Sequence, residues 1–65
     1  MTRLIDPAEL HLGQSFALTE RGVPYTCQGH ETSPSGIVTT VLGMRDYYHH
    51  PVEIIMLRGE KVWVR

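Results

Sequence analysis

Turn-forming residues divide this sequence into segments that are too short for a long helix. Between the turns, β-branched residues are frequent, as in the run of 37–41, and such residues favour strands. The only helix-start signal is at 6–10, where Asp6 can cap the helix and Pro7 fits its first position. Gly13 then ends the helix after about one turn. We therefore expect an all-β fold with at most one short N-terminal helical turn.

Five segments have the composition and alternation of strands, namely 14–18, 23–27, 37–44, 52–57 and 62–64. Pro24 cannot donate a ladder hydrogen bond, so the second strand is expected at an edge there, whereas 37–44 is apolar on both faces and suits a central position. Short antiparallel strands tend to close on themselves because closure removes exposed edges. The sequence therefore predicts a small five-stranded barrel or a strongly twisted antiparallel sheet.

The order of these segments resembles that of an SH3-like barrel. A short leading segment is followed by a first hairpin and then by three more strands. The resemblance concerns the fold alone, and such barrels have many unrelated functions.

A chain of 65 residues can enclose one hydrophobic core, which predicts a single domain. We expect residues 1–12 to form an N-terminal segment with the helical turn, and residues 13–65 to form the barrel or sheet. Hydrophobic residues make up 42% of the chain, which argues against intrinsic disorder. A domain of this size buries only about 60% of the surface that it exposes when unfolded, so we expect marginal stability.

The charge and cysteine content argue against several classes of function. The formal net charge is −1 and the isoelectric point is near 6.4, whereas nucleic-acid-binding domains often have values above about 9. No apolar run reaches the roughly 20 residues of a membrane helix, and no signal-peptide or lipidation pattern is present. The single cysteine, Cys27, excludes an internal disulfide framework and suits a reducing compartment. We therefore predict a cytoplasmic protein.

The last two segments are expected to form a hairpin whose register decides where Trp63 points. A two-residue loop at Gly59-Glu60 places Met56 opposite Trp63, and a three-residue loop that adds Arg58 places Ile55 there instead. A shift of one residue moves each side chain to the other face. We favour the three-residue loop because it collects most apolar residues on one core face. That core face consists of Val52, Ile54, Met56, Val62 and Val64.

This register leaves Ile55, Leu57 and Trp63 pointing outward, with Arg65 nearby. An exposed tryptophan with aliphatic and arginine neighbours is typical of an interaction hot spot. The alternative is that Trp63 belongs to the core and is covered by the N-terminal segment, because the chain has only one Trp and one Phe with which to fill its core.

The connection before the last hairpin is rich in aromatic and polar side chains. Its candidate partner-binding residues are Arg45, Tyr47, Tyr48, His49 and His50. Tyrosine, histidine and arginine provide rigid contact area and adaptable hydrogen bonds, and they can also stack on unpaired bases. The tyrosines could equally be structural, since alternation in a strand buries one of two neighbours.

Weaker patterns concern metal binding and catalysis. Cys27 and His30 have a ligand-like spacing that His49 and His50 could complete, but adjacent histidines rarely both face one ion. Asp46 lies near these histidines and Ser33 and Ser35 lie on a loop, yet nothing in the pattern holds a nucleophile against a base. No phosphate-binding glycine motif is present. We predict no metal, no cofactor and no catalytic residues.

The sequence thus favours a non-enzymatic module that binds a larger protein, as an adaptor or as an inhibitor that occludes it. Small chains without a catalytic set are common among bacterial and phage accessory proteins, and by that association we expect such an origin here. One alternative is a small nucleic-acid-binding barrel that uses the aromatic residues and the late basic residues. Another is a homodimer, because the chain has more apolar faces than one small core can cover.

Overall fold

The computed structural model describes residues 2–45 and 50–65 as a curled antiparallel sheet that forms a half-barrel. Six strands and one 3-10 turn are present in this part of the chain. The strands are β1 (Arg3–Ile5), β2 (Ser15–Phe16), β3 (Tyr25–Thr32), β4 (Val38–Met44), β5 (Val52–Leu57) and β6 (Val62–Val64), and the 3-10 turn is Pro7–Glu9. The all-β prediction is confirmed, with six strands in place of five.

The strands form two ladders that are joined by one bridge. The larger ladder has the order β2-β3-β4-β5, and the smaller one pairs β1 with β6. Ala17, which directly follows β2, exchanges two backbone hydrogen bonds with Trp63 of β6, at 2.8 and 2.9 Å. The bridge makes the sheet continuous from β1 to β5, so these two strands are its edges in the described part of the chain.

The predicted C-terminal hairpin is wrong, since β5 pairs with β4 and β6 pairs with β1. Both alternative registers at Gly59 therefore fail. The chain reverses there in a tight turn in which the Glu60 N–H donates to the Leu57 carbonyl at 3.0 Å, with Gly59 at a φ of 92°. After this turn the chain does not fold back onto β5. Strand β6 instead lies between β1 and the end of β2.

The predicted core face is nevertheless mostly correct, because it follows from alternation within each strand and not from the pairing between them. Met56, Val62 and Val64 are buried and Ile54 packs against them, whereas Val52 is 41% exposed near the start of β5. The other buried members of the core are Leu10, Phe16, Cys27 and Val41.

The N-terminal segment contributes both a strand and a cover to the half-barrel. Asp6 caps the 3-10 turn by accepting from the Ala8 N–H at 3.0 Å, as predicted, and Pro7 is buried beneath it. The turn packs against β3 and β4. His30 reinforces this position, since its Nε2 lies 3.0 Å from the Leu10 carbonyl oxygen.

Strand β3 differs from its prediction at both ends. It starts after Pro24 and lies between β2 and β4, so it is not an edge. It also continues beyond its predicted end at residue 27 as far as Thr32, with a bulge between Cys27 and Gly29. Gly29 has a φ of 140°, which favours glycine.

No helix in the described residues is long and apolar enough to cross a membrane.

Candidate protein-binding surface

The outer face of β4 and β5 carries neighbouring apolar side chains that the fold leaves uncovered. Leu57 lies opposite Val38 and Ile55 lies opposite Thr40, and directly opposed residues share a face of the sheet. Ile55 is 66% exposed and Leu57 is 56% exposed. Val38 and Leu42 on the same face are half-buried. We call the four residues Ile55, Leu57, Val38 and Leu42 the outer β4–β5 patch.

Alternation along β5 explains why this patch exists. Ile54 and Met56 point inward and pack in the core, so Ile55 and Leu57 must point outward. Full burial of an isoleucine or leucine side chain contributes about 1.5–3 kcal/mol, and more than half of each side chain here remains in water. A partner that covers the patch would gain much of that free energy.

Trp63 lies elsewhere on the sheet. It is half-buried on β6, opposite Leu4 of β1, and its backbone groups bond to Ala17. Along the ladder, β2, β3 and β4 separate β6 from β5. Trp63 therefore does not lie beside Ile55 and Leu57 across a hairpin. Because Trp63 is half-buried, neither the core interpretation nor the interface interpretation describes it fully.

The remaining predicted binding residues have different surroundings. The Arg45 guanidinium carbon lies 5.2 Å from the centre of the Tyr25 ring, so this side chain has a cation–π partner within the chain. His50 and Arg65 are exposed, next to β5 and β6 respectively. The predicted residues Tyr47, Tyr48 and His49 lie outside the described residues.

The metal-site candidates are not brought together in the part of the chain that the structure describes. Cys27 is fully buried in the core, whereas His30 is exposed and bonded to the Leu10 carbonyl oxygen. Within residues 2–45 and 50–65, no group of three or more His, Cys, Asp or Glu side chains could hold a metal ion. His49 is outside these residues.

A cleft of about 590 Å³ lies beside the 3-10 turn. Its polar lining includes Arg3, Glu9, His11, Gln14 and His30. Since a carbonyl oxygen only accepts hydrogen bonds, the contact with Leu10 indicates that His30 carries its proton on Nε2. No serine, threonine or cysteine of the described residues lines the cleft, so its histidines have no hydroxyl or thiol nucleophile beside them there.

The residues of β4 are the part of the patch that the sequence interpretation missed. The signal was present, because 37–44 is apolar on both faces, but that pattern was attributed to a central position in the sheet and not to an interaction surface. The strand is indeed central, between β3 and β5. Only one of its faces is covered by the core, and Val38 and Leu42 lie on the other.

A comparison of this chain with known protein families, characterised proteins and solved structures finds no match.

Proposed function

We propose that this chain is a non-enzymatic module that binds a larger protein through the outer β4–β5 patch. The observation that carries the proposal is the pair of exposed apolar side chains, Ile55 and Leu57, held next to each other on one rigid strand. The module would act as an adaptor, or as an inhibitor that sterically blocks the functional surface of its partner.

The composition of the patch favours a protein partner over nucleic acid. Its centre is aliphatic, and Glu53 lies on the same face opposite Leu42. An aliphatic centre with a charged rim is typical of protein interfaces, whereas a phosphate backbone would be repelled by the carboxylate. The patch is small, so the partner must supply additional contacts around it to reach the roughly 800 Å² per side of a standard interface.

The test is a double variant, Ile55→Thr with Leu57→Thr, which removes most of the apolar surface and places a strand-favouring β-branched side chain at both positions. We expect binding to a partner isolated with the wild-type chain to weaken by about tenfold or more, as for a hot-spot loss. Affinity is measured by calorimetry, and the melting curve checks that the fold is retained.

Leu12→Thr is the matched control, because Leu12 is 77% exposed but lies outside the sheet. It should bind like the wild type. Trp63→Ala tests the alternative surface around half-buried Trp63: loss of binding in that folded variant, with the double variant unaffected, would place the binding surface on β6 and refute the proposal.

A further inference from the structure

The free edge of β5 has a self-complementary arrangement of backbone groups. From this arrangement we infer that a second copy of the chain pairs with it, antiparallel, so that Glu53 lies opposite Ile55 of the second copy. This inference uses the backbone edge of β5 and stands independently of the proposed function, which uses the outer side chains.

One hydrogen bond establishes which groups of β5 face the free edge. The Arg58 N–H donates to the Ile37 carbonyl at 2.7 Å, in register with the β4–β5 ladder. Backbone groups in an antiparallel ladder alternate between the two sides of a strand. The N–H and C=O groups of Val52, Ile54 and Met56 therefore point toward β4, and those of Glu53, Ile55 and Leu57 point away from it.

Among the described residues, Leu57 is the outward position of β5 that already has hydrogen-bond partners. Its N–H donates to the Glu60 carboxylate oxygen Oε1 at 2.8 Å, and its carbonyl accepts from the Glu60 N–H at 3.0 Å. Glu60 thus satisfies both outward backbone groups of Leu57, so the ladder has no open hydrogen-bonding group at this end. The outward groups of Glu53 and Ile55 have no partner among the described residues.

Pairing stops at the other end as well. The next outward position before Glu53 is Pro51, which has no N–H to donate. When two copies pair with Glu53 opposite Ile55, Leu57 of each copy falls opposite Pro51 of the other. The position already saturated by Glu60 thus meets the position that cannot donate, and every open group between them is paired.

This coincidence is the reason for choosing a second copy as the occupant. An unrelated strand would need a residue that cannot donate a hydrogen bond opposite Leu57. In a two-fold dimer, Pro51 of the second copy takes that position because the two chains are identical. On the outer face, Ile55 also becomes a diagonal neighbour of Ile55 in the second copy, about 7–8 Å away. The contact is short compared with a standard interface, so the association should be weak and concentration-dependent.

The first test is sedimentation equilibrium of the wild-type chain over a wide concentration range, compared with a synthetic chain that carries an N-methyl group on Ile55. The methyl group removes one outward N–H and keeps every side chain. We expect the wild type to dimerise and the association constant to fall by about tenfold or more on methylation. N-methylation at exposed Leu12 is the control and should change nothing.

The second test determines the register by crosslinking. Chains with Glu53→Cys are mixed with chains with Ile55→Cys, and native Cys27 does not interfere because it is fully buried. Directly opposed residues lie about 5.5 Å apart between Cα atoms, within disulfide range. We expect the mixed disulfide to form faster than either disulfide between identical chains.

The third test exploits an unfavourable contact that only this register creates. The two Glu53 carboxylates become diagonal neighbours, and at about 7 Å in water their repulsion corresponds to roughly a threefold change in the association constant. Glu53→Gln should therefore strengthen the dimer. A monomer at every concentration, a dimer indifferent to N-methylation, or faster crosslinking between two Ile55→Cys chains would each overturn the inference.

Discussion

Gly43 shows how a single missing side chain shapes one end of the half-barrel. A Cβ atom at this position would lie 3.0 Å from Cδ1 of Tyr25 and 3.1 Å from Cδ1 of Ile54. The space allows the Tyr25 ring to pack on Phe16, with ring centres 5.6 Å apart, and the Arg45 guanidinium also lies over the Tyr25 ring. A side chain here would therefore require Tyr25 and Ile54 to shift by a few tenths of an ångström, while the backbone of Gly43 has no positive φ.

Gly43→Ala should therefore destabilise the fold by about 1–3 kcal/mol through overpacking, despite the gain from replacing a flexible residue. Chemical denaturation measures the change. Ile54→Val removes the Cδ1 atom involved, so Gly43→Ala should cost less in that background. Strict additivity of the two substitutions would show that Ile54 does not contribute to the strain.

The 3-10 turn has two backbone hydrogen bonds of its own, from the Glu9 N–H to the Asp6 carbonyl and from the Leu10 N–H to the Pro7 carbonyl, and it depends on its neighbours for further support. Three residues cannot form an independently stable helix. The turn is held by the Asp6 cap at its start and by the bond between His30 and Leu10 at its end. The bulge at Gly29 places His30 on the inner face of β3, opposite Val41, from which its ring reaches the turn.

We expect His30→Ala to loosen the 3-10 turn and to lower the free energy of unfolding by about 0.5–1.5 kcal/mol, the usual contribution of one hydrogen bond. Amide hydrogen exchange should speed up in residues 8–10 more than in β4. Glu31→Ala is the matched control because Glu31 is the next residue but lies on the opposite face. Equal effects of both variants would mean that the bond to Leu10 does not anchor the turn.

At the scale of the whole molecule, charge remains the simplest guide to the class of partner. The chain carries six basic and seven acidic residues, and Arg58, Lys61 and Arg65 are the basic residues of its C-terminal part. The acidic Glu60 lies between the first two of them in sequence. The molecule therefore provides weak attraction for a polyanion.

We expect no measurable binding of duplex DNA or single-stranded oligonucleotides at physiological salt, by fluorescence anisotropy. The affinity of a nucleic-acid-binding protein would instead decline steeply with rising salt. On duplex DNA, the logarithm of the association constant falls with the logarithm of the salt concentration with a slope near −0.9 per phosphate neutralised. Tight binding with such a slope would favour the small nucleic-acid-binding barrel over the protein-binding module.

The success of sequence interpretation depended on whether a feature was local. Asp6 and Pro7 specify the 3-10 turn through their own backbone preferences, and alternation in 52–57 specifies which side chains point inward. Strand β1 was missed because Arg3, Leu4 and Ile5 are too few to show a period, and only their pairing with β6 defines them. The hairpin prediction was wrong for the same reason, because β6 pairs with distant β1 and not with β5. The expected surface containing both Trp63 and Ile55 depended on that hairpin.

The pairing of β1 with β6 has a consequence for how the chain folds. Arg3 lies opposite Val64, so the two strands of the smaller ladder come from opposite ends of the described chain. Val62 and Val64 are also fully buried, which leaves the core incomplete until the last strand is in place. Distant contacts of this kind slow folding, because the entropy of closing the loop is lost before the contacts form. On the ribosome, the earlier strands can form their hairpins in sequence, but the finished half-barrel must wait for β6 to emerge.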